Sequence, residues 1–199
     1  MSRDIETLRE GVRKSLPEIE EIADEALRAK VVEIHALALS ETEFQTIDEI
    51  PEPEEGPGAT PLRFGNQAGH YRAVARMAMG LADGLEAVYG SLKIDRDILL
   101  ASALCHDAGK AFEFSPRNEA RWKADPAGAG YPAVRHPVYG VHLGYVVGLP
   151  EAVIHCIGGH SLNGEGALIK SSLETTIVKY CDHSFWKILE RAWERSQAT

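Results

Sequence analysis

Cysteine is scarce in this 199-residue chain, with three residues at 105, 156 and 181 and no C-x-x-C spacing. Each lies in an apolar stretch, which points to buried, reduced thiols rather than a disulfide framework. Long apolar runs are missing as well. No segment approaches the ~18 uncharged apolar residues that a membrane-spanning helix needs. The N-terminus lacks the layout of a secretory signal, so a cytoplasmic location is the expectation. Positive charge is in deficit, 21 Lys and Arg against 30 Asp and Glu, for a net charge of −9 and a pI near 5.4. That balance argues against nonspecific binding to nucleic acid or to a membrane surface. A small anionic substrate stays compatible with it, because bound metal ions reverse the field locally. Sustained strand alternation is absent too, and so is any internal repeat.

What remains is a helical pattern of one-domain length. Ser15-Leu16-Pro17-Glu18 matches a capping box with proline near the helix start and predicts a helix to about Leu39. Pro51 to Pro61 reads as a Pro/Gly/Glu-rich loop. Further helices are predicted over about 67–83, 95–107, 137–147, 151–158 and 172–194, the last opened by a second box, Ser171-Ser172-Leu173-Glu174. Ser115 to Arg135 reads as a polar loop whose Trp122 and Tyr131 favour order. The expected organisation is all-α. Residues 1–61 form an N-terminal helical segment with its loop, and residues 62–199 form the main domain, the whole making one compact unit.

The chemistry concentrates in Leu104-Cys105-His106-Asp107-Ala108-Gly109-Lys110. Neighbours on a regular helix point about 100° apart, so His106 and Asp107 can share an ion only where the helix ends. Gly109 reads as the stop signal. An imidazole and a carboxylate together suit a hard or borderline divalent metal. His70 shares a helical face with Val74, Met77 and Leu81, and Asp182 with Val178, Phe185 and Leu189. A carboxylate in an apolar stripe is costly unless it is paired or binds a metal. His136 stands before Pro137 at a helix start, and Gly140, one turn on, would leave room for a metal or substrate. His155 and His160 are five residues apart and cannot aim at one point from one helix. His160, after Gly158-Gly159 at a helix end, is the better ligand. Nothing supports His35, and His183 is at most a neighbour of Asp182.

This order of His70, His106-Asp107 and Asp182 resembles the HD-domain superfamily of metal-dependent hydrolases. Arg135-His136-Pro137 and Gly159-His160 resemble the additional ligands of its two-metal, six-ligand branch. After His160 comes Ser161-Leu162-Asn163-Gly164, without Gly-Tyr-Pro, so this is not a true HD-GYP protein and a cyclic dinucleotide is not expected. The Arg-His-Ser pattern of the HD 5′-nucleotidases is also missing. The resemblance spans roughly 62–190 and implies a helical bundle and six ligands: His70, His106, Asp107, His136, His160 and Asp182. It further implies that Asp107 bridges two ions, with His70, His106 and Asp182 on the first and His136 and His160 on the second. One or two divalent transition metals are expected, Fe, Mn, Co or Ni, with Zn also compatible.

In HDxGK enzymes of this kind the lysine meets substrate phosphate, which casts Lys110 in that role beside Asp107. Arg117, Arg121 and Arg135 are the anion-facing candidates of the segment after it, a wall or lid in this reading. Arg63, Asn66 and Gln67 are further candidates to line the pocket. The expected activity is hydrolysis of a small phosphorylated or nucleotide-like substrate. The same ligand set also fits a di-iron oxygenase, and a metal-binding regulatory module without turnover is a third class. A homo-oligomer is compatible with the sequence.

Overall fold

The structure is a computed structural model that describes residues 4–51 and 65–197. Most of the expected Pro/Gly-rich loop, Arg63 and the 61/62 boundary lie outside the described residues. Helices account for the regular structure of what is described: α1 (Ile5–Ser15), α2 (Glu25–Ser40), α3 (Gln67–Tyr89), α4 (Arg96–Cys105), α5 (Lys110–Glu113), α6 (Pro116–Ala124), α7 (Pro126–Ala129), α8 (His136–Val147), α9 (Glu151–Gly159) and α10 (Leu173–Gln197). Strand-like pairing among these residues is confined to an isolated bridge, Pro51 to Asn66. The fold is all-α, as the sequence pattern predicts.

α4 is the axis of the bundle. Leu99, Leu100, Ala101, Ser102, Ala103, Leu104 and Cys105 are all buried, with α3, α9, α10 and α2 packed around them. Burying a side chain the size of leucine contributes about 1.5–3 kcal/mol, so α4 is a large share of the core. The N-terminal helices extend this core. α2 buries Leu27, Val31, Val32, Ile34 and His35 and lies against α4 and α8. His35 Nε2 is 2.8 Å from the Leu104 carbonyl, which the end of α4 leaves without a helical donor.

The N-terminal reading needs correction. Ser15-Leu16-Pro17-Glu18 does not cap a long helix. Ser15 ends α1, a helix capped by Asp4, and Pro17 opens a short 3₁₀ turn, Pro17–Glu21. Asp24 then caps α2, accepting from the Ala26 and Leu27 amides at 2.8 and 3.0 Å. Tertiary demand breaks the helix. Leu16, Ile19 and Ile22 all sink into the core, and Asp97 at the start of α4 accepts from the Ala23 and Asp24 amides at 2.9 and 2.8 Å. At α10 the cap is Ser172, which accepts from Thr175 N at 3.1 Å, and Glu174 accepts instead from Asp95 N at 3.3 Å.

The segment 115–135 is a second correction. Much of it is helical, in α6 and α7, because Ser115 and Asp125 cap their amides and prolines occupy the first helical positions. Trp122 is buried, and Ser115 Oγ donates to Glu43 at 2.6 Å. A segment anchored this way is not built as a swinging lid.

Candidate metal centre

Six side chains from five places in the fold converge at one end of α4. His70 comes from the first turn of α3, and His106 and Asp107 from the turn that follows α4. His136 is the first residue of α8, His160 follows α9, and Asp182 lies within α10. The turn at 106–109 carries the chain directly into α5 through Lys110 N–H on the Asp107 carbonyl at 2.8 Å. Gly109 has an ordinary φ of −73°. Glycine is needed there for contact: a Cβ would stand 2.1 Å from the His136 carbonyl oxygen. Gly140 is the other half of this contact, and its missing side chain makes room for Ile157 and the Gly109 backbone rather than for a ligand. The two glycines let α8 close onto the turn and bring His136 to Asp107.

The atoms form two groups that meet at Asp107. His70 Nε2 lies 3.1 Å from His106 Nε2 and 3.3 Å from Asp182 Oδ1. Asp107 Oδ2 faces this group, 3.2 Å from His70 Nε2 and 3.3 Å from His106 Nε2. Asp107 Oδ1 faces the other group, 3.1 Å from His136 Nε2 and 3.3 Å from His160 Nε2. Ligand atoms about 2.1 Å from one ion stand about 3.0 Å apart at octahedral angles and about 3.4 Å apart at tetrahedral angles. The observed separations fall in that interval. Asp107 Oδ1 and Asp182 Oδ1 are buried without a hydrogen-bond partner. Buried carboxylate oxygens of that kind are costly unless a cation meets them. The residues fit divalent ions, in the sets His70–His106–Asp182 and Asp107–His136–His160.

The remote ring nitrogens are largely pinned. His106 Nδ1 is 2.8 Å from the Ala103 carbonyl, His160 Nδ1 is 2.9 Å from the Ile157 carbonyl, and His136 Nδ1 is 2.7 Å from Glu113 Oε2. Each contact holds its ring with Nε2 toward the cluster, the usual device around a metal. Burial favours the neutral imidazole throughout. It leaves the His160 pKa lowered, with Asp107 only partly offsetting the effect. At His70 and His136 the carboxylates around them outweigh burial and leave the pKa raised. Burial also pushes the acids up, yet Lys110, His106 and His136 hold Asp107 well below the usual carboxylate range, and His70 and His106 do the same for Asp182. The cluster therefore draws positive charge and keeps its oxygens ionised.

A cavity of about 280 Å³ opens beside the second group. Asp107, His136, His160 and Asp182 line it, with Lys110, Arg135 and Lys187 as its cations and Trp186 as an apolar wall. Lys110 is buried, its Nζ 2.8 Å from Asp107 Oδ2 and 5.7 Å from the centre of the Trp186 ring. Of the three arginine candidates only Arg135 reaches the cavity. Arg117 is turned to the end of α2, 3.3 Å from Glu43 Oε1 and 2.8 Å from the Glu41 carbonyl, and Arg121 is exposed on α6. Both belong outside the pocket. Asn66 caps α3 through the Gly69 amide at 2.9 Å, and Gln67 is buried against Asp107. His155 accepts from the Ser172 amide at 3.2 Å, away from the cluster. His183 lies at the cavity and His142 is exposed on α8.

Sequence reasoning misses Glu113 and Trp186. Trp186 was within reach, one helical turn after Asp182. Glu113 carries no signal of its own, because its partner is set by how α5 meets α8. No helix among the described residues is long and apolar enough to cross a membrane. Compared with known protein families, residues 68–185 match the model of the HD domain. No curated protein and no solved structure matches the chain.

Proposed function

Because the chain belongs to the HD-domain family, we propose that it is a metal-dependent phosphohydrolase that uses two divalent ions on a small phosphorylated or nucleotide-like substrate. The observation that carries this reading is the division of Asp107, one oxygen toward His70 and His106 and the other toward His136 and His160. A single ion would need one of these oxygens, whereas a carboxylate shared between two groups matches a bridge. Bound ions would supply Lewis acidity and a nucleophilic water for in-line attack at phosphorus. Four imidazoles and two carboxylates without thiolate suit Mn, Fe, Co or Ni, with Zn compatible.

The protein's own groups would do the positioning. The His136 and His160 side of the cluster borders the cavity, so a substrate phosphate docks there. Lys110 offers three donors beside Asp107, and Arg135 a planar fork at the rim. Trp186 shields the lysine and His70 from water on the α10 side. The cationic rim favours an anionic substrate in a chain whose net charge is negative. The ester bond breaks as water adds to phosphorus, and Lys110 and Arg135 offset the charge that builds on the phosphoryl oxygens.

The test is phosphate release from a panel of phosphomonoesters, phosphodiesters and nucleotides, with metal-free protein reloaded with Mn²⁺ or Co²⁺. Metal-dependent turnover of at least one phosphoester is expected. No release, together with a mixed-valent di-iron EPR signal and oxygen uptake, would transfer the reading to an oxygenase on the same ligands. Metal bound with neither reaction would leave a regulatory module.

A further inference from the structure

We infer that Gln67 is a positioning residue, whose side-chain amide sets the rotation of the Asp107 carboxylate and so governs how tightly the His136–His160 group holds its ion. The inference rests on the two-ion reading above. The terminal torsion of an aspartate is broad and roughly two-fold, so nothing intrinsic to Asp107 decides which oxygen faces which group. Two donors fix it. Gln67 Nε2 on α3 donates to Asp107 Oδ2 at 3.1 Å, and Lys110 Nζ is 2.8 Å from the same oxygen. Lys110 is a flexible cation at the cavity wall, where substrate phosphate would compete for it. Gln67 is fully buried and does not line that cavity, so its hold persists whatever the cavity contains.

The other end of the amide supports this. Its nitrogen must face the carboxylate, since an oxygen there would meet another negative oxygen. Gln67 Oε1 is then left buried with no partner. An apolar side chain of equal size would fill the space without stranding a carbonyl. The N–H on Asp107 is what an amide adds at this position. With Oδ2 held, Oδ1 is delivered to His136 and His160. That group has Asp107 as its carboxylate, while His70 and His106 also have Asp182. A carboxylate free to turn should therefore weaken the His136–His160 group first.

The experiment titrates metal-free wild type and Gln67→Met with Co²⁺ by calorimetry, follows the visible ligand-field absorption, and measures the Tm of both metal-free proteins. Wild type should bind two ions. In Gln67→Met the weaker step should lose about 10- to 100-fold in affinity, as for removal of other outer-sphere partners. The stronger step should keep its wild-type value, and the metal-free Tm should not fall. Two unchanged steps would overturn the role, as would a lower Tm with unaltered binding or an equal loss in both steps. A single step in wild type would instead overturn the two-ion reading, and the inference with it. If Gln67→Met does not fold, Gln67→Asn withdraws the amide by one methylene and should give the same split.

Discussion

The two halves of the metal cluster are built differently. His70, His106 and Asp182 belong to the long helices α3 and α10 and to the end of α4, all packed on one another in the core. His136 and His160 stand at the start of α8 and just past the end of α9, and both line the cavity. The first half has its own carboxylate in Asp182, whereas the second borrows Oδ1 of Asp107 and depends on Glu113 to orient His136. The contrast assigns the first half to holding an ion and the second to presenting one to substrate.

The largest effect should come from erasing the distinction. Asp107→Ala removes the carboxylate common to both halves, and elemental analysis should show bound metal lost from both, with activity at background. Metal content equal to wild type would break the assignment. Single-half variants come next. His136→Ala should lose mainly one ion and turnover, and His70→Ala should lose the more tightly held one, so titration of the two variants against each other sharpens the comparison. Glu113→Ala should act more gently and on the second half alone, with about a 10- to 100-fold loss of affinity in the weaker step. An equal loss in both steps would dissolve the distinction.

Lys110→Met addresses substrate rather than metal. Loss of a hydrogen bond to a charged group is worth about 1.5–3 kcal/mol, so kcat/KM should fall about 10- to 150-fold while metal content stays near wild type. Unaltered kinetics would return Lys110 to a supporting contact with Asp107. The smallest effect concerns the core beneath the first half. Burial pushes the His35 imidazole down to about 4 from its ordinary value of 6.5, and the folded protein keeps it neutral. The unfolded chain takes up that proton first, so stability is full above pH 6.5 and falls as pH drops from there toward 4. At pH 5 the loss is about 2 kcal/mol. Urea unfolding at pH 7.5 and pH 5 should show this extra acid sensitivity in wild type and not in His35→Gln. Identical pH slopes would refute it.

The element types and the family were legible because they follow from local pattern. Helical periodicity, caps at Asp95 and a His-Asp pair at a helix end need only neighbouring residues. The expected ligand residues were legible as types, because a carboxylate such as Asp182 within an apolar stripe demands a reason whatever the fold. The errors lie where distant contacts overrode local preference. Ser15-x-x-Glu18 has the composition of a helix start, yet core burial of Leu16, Ile19 and Ile22 breaks the chain there. Gly140 looked like space for a ligand and is space for Ile157.

The sequence by itself determined an all-helical chain with His70, His106, Asp107, His136, His160 and Asp182 as its metal-ligating candidates, since residue chemistry and helical period are local properties. Tertiary structure alone decided that Glu113 orients His136, that Gln67 and Lys110 hold Asp107, and that Arg135 reaches the cavity while Arg117 and Arg121 do not. Those outcomes depend on how α3, α5 and α8 meet, and a contact between helices is fixed by packing of the whole core rather than by the spacing of any one segment.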